Sequence, residues 1–231
     1  MSLSKQEDRT RRWWRRHSFR IGLVVILFFS ASIRLYQISG FSGNYDEGAH
    51  LMVAWLLSEG YSLYTEVGTN QLPFLYQPTA WLFAVAEPSS VLARWLEIGY
   101  ALLGLIAVAG IARLLWRPSV GLIAALFLSL ELYYFRGSRI FGGSVASVAV
   151  GTLAVLGALY YQKTGSRKLL FLTGVIFSFS LFIKPLSLFA GFLLLSSVIA
   201  HRWQEISVSD VERPLRFRSF PWRVLLTDFL Y

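Results

Sequence analysis

What most restricts this chain is the length of its apolar runs. They are near 20 residues long, the length a helix needs to cross bilayer hydrocarbon, and not the short alternations that build a soluble core. The runs are Ile21 to Ile38, Val91 to Trp116, Val120 to Phe135, Gly143 to Tyr161, Leu169 to Ile183 and Leu186 to Ala200. Hydrocarbon offers a backbone amide no partner, so each run must satisfy its own hydrogen bonds and reads as a helix rather than a strand. The expectation is an all-α integral membrane protein with about six transmembrane helices. With 55% hydrophobic and only 15% charged residues, a soluble fold is disfavoured.

The net charge of +9 does not point to nucleic acid. The basic residues lie beside or between the apolar runs and form no continuous stripe, which is how a membrane protein distributes them. With no cysteine there is neither a disulfide framework nor a thiolate metal site. Arg9, Arg11, Arg12, Arg15, Arg16 and Arg20 ahead of the first run imitate the basic start of a signal peptide. That run is longer than a usual signal core and ends in no small-x-small cleavage site, so it reads as an uncleaved anchor.

Positive charge sets orientation, because loops rich in Lys and Arg are retained in the cytoplasm. The tail 1–20 holds Lys5 and the six arginines, whereas Gln37 to Ala93 contains no Lys or Arg and carries Asp46, Glu47, Glu59, Glu66 and Glu87. The tail is therefore expected inside and the segment 39–90 outside. Alternation from there puts Arg113 and Arg117 inside, then Lys163, Arg167 and Lys168, then Arg202, Arg213, Arg216, Arg218 and Arg223. The expected place is the cell inner (plasma) membrane, crossed several times, with the amino terminus cytoplasmic.

The outer loop holds two apolar stretches too short to span, His50 to Leu57 and Pro78 to Ala86. They read as interfacial helices with Trp55 and Trp81 at headgroup level. At the other end, 201–231 reads as a cytoplasmic segment followed, from Phe220 to Tyr231, by the start of an incomplete further helix.

Chemistry concentrates in the outer loop. Asp46 and Glu47 stand at the start of the first interfacial helix, in Asn44-Tyr45-Asp46-Glu47-Gly48-Ala49-His50. A carboxylate at a membrane face can serve as general base or help hold a divalent cation; it can equally cap the positive end of a helix. His50 lies four residues after Asp46, on the same helical face, and is the candidate to share a metal with it. Arg94, Arg136, Arg139 and Lys184 are basic residues that the topology places outside, against the charge bias. They are candidates for gripping a phosphate, or side chains snorkelling to headgroups. Glu97 and Glu131, within or near apolar runs, are candidates to pair with these cations.

An Asp-Glu pair just after a first transmembrane helix, an interfacial helix, a Glu-Gly turn and Leu72-Pro73-Phe74-Leu75-Tyr76 resemble the GT-C superfamily of polytopic glycosyltransferases. The likeness is to the branch of the protein O-mannosyltransferases and the lipid A aminoarabinose transferase. It extends through Leu92-Ala93-Arg94, Tyr134-Phe135-Arg136-Gly137-Ser138-Arg139 and Phe182-Ile183-Lys184-Pro185. It departs from the family pattern at Gln71, where a basic residue is common, and at Ser144, where an acid is. The resemblance implies transfer of a sugar from a polyprenyl-phosphate donor to a lipid, glycan or protein acceptor at the outer face. Asp46 would be the general base or metal-associated carboxylate with Glu47 beside it, and Arg139 and Lys184 would meet the lipid phosphate. Full family members are roughly twice as long, so an N-terminal half, or an inactive truncated relative serving as a scaffold, is a competing reading. A transporter or flippase is another, since it too needs charges within the membrane.

Overall fold

Among the described residues, four helices are long and apolar enough to cross a membrane: His17–Leu35, Ser90–Leu115, Ser144–Thr164 and the stretch Pro185–Trp203. They belong to a computed structural model that describes residues 3–40 and 45–210. Among these residues the chain forms nine α-helices: α1 (Leu3–Leu35), α2 (Tyr45–Ser58), α3 (Pro73–Phe83), α4 (Ser90–Leu115), α5 (Pro118–Leu130), α6 (Leu132–Gly137), α7 (Ser144–Thr164), α8 (Arg167–Ile183) and α9 (Leu188–Asp210). A single 3-10 turn, Pro185–Ser187, joins α8 to α9. The described residues contain no strand, only an isolated bridge between Leu63 and Val67. Asn44, the arginines Arg213, Arg216, Arg218 and Arg223, and the apolar stretch Phe220 to Tyr231 lie outside the described residues.

Two of the six expected spans are shorter than the hydrocarbon. The run Val120 to Phe135 does not form one helix: α5 ends after 13 residues, about 20 Å, and α8 has 17, about 26 Å, against roughly 30 Å of bilayer core. The break in the first of these has a local cause. Glu131 leaves helical geometry (φ −61°, ψ 127°) and its carboxylate accepts from the backbone N–H of Tyr133 at 3.1 Å and Tyr134 at 2.6 Å. An acid in an apolar run thus starts a new helix by satisfying its free amides, instead of pairing with a cation.

The two short helices expected between the first and second spans exist, with other limits. α2 begins at Tyr45, not His50, so Asp46 and Glu47 occupy its first turn. α3 begins at Pro73, not Pro78, because a proline at the first helical position gives up an N–H that would have had no partner. Between them the loop is knitted: Ser62 N–H donates to Glu66 Oε2 at 2.7 Å, and Tyr64 Oη to the Gln71 carbonyl at 2.9 Å.

α7 packs against α4, α8 and α9, while α1 lies across α4 and α5. Small residues let these helices approach: a Cβ at Gly104 of α4 would meet the Tyr134 hydroxyl and, at 3.0 Å, the Cβ of Ala149 on α7. Phe28, Phe127, Phe171 and Phe192 remain exposed on the outside of the bundle, where lipid rather than water is the compatible solvent.

The bundle has two chemically distinct ends. At one, the Arg113 guanidinium lies 4.5 Å over the Phe19 ring and Lys163 Nζ donates to the Leu114 carbonyl at 3.5 Å. At the other lie Asp46, Glu47 and Glu97 with the buried cations Arg34, Arg94 and Arg139.

Candidate functional site at the acidic end of the bundle

Adjacent residues on a helix point about 100° apart, and this separates the two acids of α2. Asp46 is exposed, whereas Glu47 is 3% exposed and faces inward. There Glu47 Oε1 accepts from Arg94 Nε at 2.8 Å and from the Phe141 N–H at 2.9 Å, and Oε2 accepts from Arg94 Nη2 at 2.7 Å. Arg94 Nη1 donates to the Ile38 carbonyl at 2.7 Å. One fork-to-fork ion pair therefore fastens α2, α4, the chain just past α1 and the segment after α6.

That segment, 138–143, is held at further points. Arg139 Nη2 donates to the Tyr36 carbonyl at 2.7 Å. The N–H groups of Gly143 and Gly142 donate to Glu97 Oε1 at 2.7 and 3.3 Å, so Glu97 takes backbone amides as its hydrogen-bond partners. Gly143 has φ +68°, and a Cβ there would run into Leu75 Cδ1 and approach Ile183 Cγ2 at 3.1 Å. Only glycine fits both the left-handed turn and the space.

Sequence reasoning passes over Arg34, which is fully buried. Its Nε donates to Ser138 Oγ at 2.9 Å and its Nη1 to Ser30 Oγ and the Ser30 carbonyl, with the guanidinium 5.3 Å from the Phe135 ring centroid. The available signal was a charge lying inside the first apolar run, which is costly in hydrocarbon unless a bundle interior receives it.

Above this clamp lies a more accessible group of side chains. Lys184, directly after α8 and half-buried, donates through Nζ to Ser144 Oγ at 3.2 Å, at the start of α7. Burial lowers its amine below the ordinary 10.5, against the opposing pull of Glu97 and Asp46. His50, half-buried one turn after Asp46, has Nδ1 3.2 Å from Tyr76 Oη, which in turn lies 2.7 Å from Thr69 Oγ1. Its imidazole is held below the ordinary 6.5 chiefly by burial and then by the Lys184 charge, with Asp46 opposing. Burial likewise raises the Tyr76 phenol. Asp46, His50 and Lys184 thus share one electrostatic neighbourhood although 138 positions separate the acid from the lysine (184 minus 46).

The remaining candidates fall elsewhere. Arg136 is exposed in the last turn of α6, and Arg139 is largely buried beside the Phe135 ring at 5.4 Å. Among the described residues no three His, Asp or Glu side chains converge to hold a metal; Asp46 and His50 supply two of the required types. The arrangement combines an accessible carboxylate, a cation fixed at the start of a helix and a neutral imidazole, the parts needed to take up a proton beside a bound anion. No protein-family model, curated protein or solved structure matches the chain.

Proposed function

We propose that the chain is a membrane glycosyltransferase, or the N-terminal part of one. It moves a sugar from a polyprenyl-phosphate donor to an acceptor at the extracytoplasmic face. In this reading it crosses the inner (plasma) membrane six times with the amino terminus in the cytoplasm, α6 extending the short α5 and the bilayer thinning beside α8. The end bearing Arg113, Arg117, Lys163, Arg167 and Lys168 is cytoplasmic by its charge, and the end bearing Asp46 faces out.

The observation that carries the reading is an exposed Asp46 carboxylate in the first turn of α2, the helix that the buried Glu47–Arg94 ion pair fastens into the bundle. As an acceptor hydroxyl attacks the anomeric carbon, Asp46 takes its proton, the new C–O bond forms, and the bond from the sugar to the phosphate oxygen breaks. The donor phosphodiester thereby becomes a phosphomonoester with one more negative charge. Lys184 is the cation placed to stabilise that charge as it develops, and Arg139 and Arg136 lie on the same segment of the outer end. Glu47 and Arg94 do not touch substrate here; they fix α2 so that Asp46 is presented outward. Where a divalent cation takes part, Asp46 is its candidate ligand.

The test follows transfer from a radiolabelled polyprenyl-phosphate sugar in membranes containing the native chain or Asp46→Asn. Transfer by the native chain and not by the variant is expected; equal transfer by both removes Asp46 from the reaction.

A further inference from the structure

The hydrogen bonds around His50 form one row, and the donor at its far end is fixed. The Gln71 backbone N–H can only donate, and it donates to Thr69 Oγ1 at 3.2 Å. Thr69 Oγ1 lies 2.7 Å from Tyr76 Oη, and Tyr76 Oη 3.2 Å from His50 Nδ1. When each hydroxyl passes its own hydrogen along this row, Thr69 donates to Tyr76 and Tyr76 donates to Nδ1. Nδ1 is then an acceptor, and the imidazole proton is on Nε2. The Phe141 ring, edge-on at 6.4 Å, and the Tyr76 ring at 5.6 Å hold the imidazole between α2, α3 and the 138–143 segment. The row is well buried at its centre, Tyr76 being 1% exposed.

We infer that His50 is a binding residue for the donor phosphate: with Nδ1 engaged by Tyr76, it presents an Nε2–H to a phosphate oxygen. The inference rests on the proposed sugar transfer for the identity of the phosphate. It differs from the reading of His50 as a metal ligand, because Nδ1 is engaged by Tyr76 and Nε2 bears hydrogen. A donor without charge suits this place. It strengthens as the leaving phosphate gains charge, yet it does not add a second cation beside Lys184 or neutralise the Asp46 base. Tyr76 and Thr69 act through His50, as positioning residues that select its tautomer.

The chain contains three histidines, so ¹⁵N-histidine NMR of the full chain in detergent micelles resolves His50, with His50→Gln giving the assignment. The expected spectrum has Nδ1 unprotonated and Nε2 protonated near neutral pH. Farnesyl phosphate is the lipid probe, with inorganic phosphate and farnesol alongside. The Nε2 resonance should move with farnesyl phosphate and with a higher concentration of inorganic phosphate, and not with farnesol. His50→Ala and His50→Asn should weaken farnesyl phosphate binding about tenfold, while His50→Gln, whose amide reaches the Nε2 position, stays within about threefold of native. Tyr76→Phe, which keeps the ring, should release the tautomer and weaken binding to an intermediate degree.

A proton on Nδ1, a shift with farnesol alone, or unchanged binding in both His50→Ala and His50→Asn overturns the inference. The transfer assay separates the two readings. Farnesyl phosphate binding that needs His50, in a chain that transfers no sugar, keeps the phosphate site and removes the enzyme. Sugar transfer that is indifferent to His50 keeps the enzyme and removes the site.

Discussion

Glu47 and Arg94 stand 47 positions apart in the chain and meet in a bidentate ion pair, Nε to Oε1 at 2.8 Å and Nη2 to Oε2 at 2.7 Å, with both side chains at most 5% exposed. Glu47 also takes the Phe141 N–H, and Arg94 the Ile38 carbonyl, so removing either partner strands a buried charge and frees other groups. Glu47→Gln and Arg94→Met are each expected to cost about 3 to 5 kcal/mol, and the double apolar replacement Glu47→Met with Arg94→Met markedly less than their sum. Thermal denaturation in detergent, read by loss of the monodisperse peak on size exclusion, checks this. Additive losses would show that the pair is not energetically coupled.

Asp46 behaves oppositely because it is exposed. Asp46→Asn should leave thermal stability nearly unchanged and reduce sugar transfer by about 10²- to 10⁴-fold, the usual contribution of a positioned general base. A variant that loses transfer only in proportion to its loss of folded protein would assign Asp46 to structure. Comparison with Glu47→Gln makes the distinction sharp, since adjacent acids of one turn are predicted to fail for different reasons.

The pairing of Glu47 with Arg94 also marks the boundary of what the sequence can disclose. The apolar runs were legible because hydrocarbon demands them one segment at a time: α1, α4, α7 and α9 each carry their own evidence. The presence of Asp46 at a helix start was legible too, from local capping chemistry. Which cation would face Glu47 was not, since Arg94, Arg136, Arg139 and Lys184 are equivalent until the helices pack. The break at Glu131 failed for a related reason: the carboxylate can face a cation or cap a new helix, and only the path of α6 decides. Arg34 was hidden by its own run, because a single charge among apolar residues does not announce whether it points to lipid or to Ser138.

Lys184 gives a pH dependence. Its amine lies below the ordinary 10.5 through burial, so it loses its proton at a lower pH than a lysine in water. Between the lowered value and the ordinary one the unfolded chain holds more protons, so this group's contribution to stability rises with pH across that window and falls as the pH drops back through the folded value. Phosphate binding runs the other way: it needs the charge, and farnesyl phosphate affinity should fall as pH rises through the lowered value. Lys184→Arg, which stays charged, should move that alkaline limb upward; an unmoved limb would assign it to another group.

Gly143 joins the clamp to the packing beneath it. An alanine would have to adopt φ near +68° and displace Leu75, while its N–H must still reach Glu97. Gly143→Ala is expected to cost about 1 to 3 kcal/mol from the backbone conformation, with the contact against Leu75 added. Gly142→Ala, at a position where a Cβ meets nothing within 4 Å, is the control and should be nearly silent in the same melting experiment.

The number of crossings can be settled by labelling, and the clamp makes the outcome sharp. α4 leaves the acidic end at Arg94 and reaches the basic end at Arg113, over Phe19. The chain must then return, because Phe141 donates to Glu47 back at the acidic end. Only α5 and α6 are available for that return, so the proposed six crossings require the 13-residue α5 to span, with the bilayer thinned beside it or met by interfacial side chains. The absence of cysteine allows single sites to be introduced cleanly. Ser62→Cys and Arg136→Cys are expected to react with a membrane-impermeant maleimide in intact cells, and Thr164→Cys only after permeabilisation. Labelling of Arg136→Cys only after permeabilisation, with Ser62→Cys labelled in intact cells, would mean that α5 does not cross. Labelling of Ser62→Cys only after permeabilisation would place Asp46 in the cytoplasm, out of reach of an outward-facing polyprenyl donor.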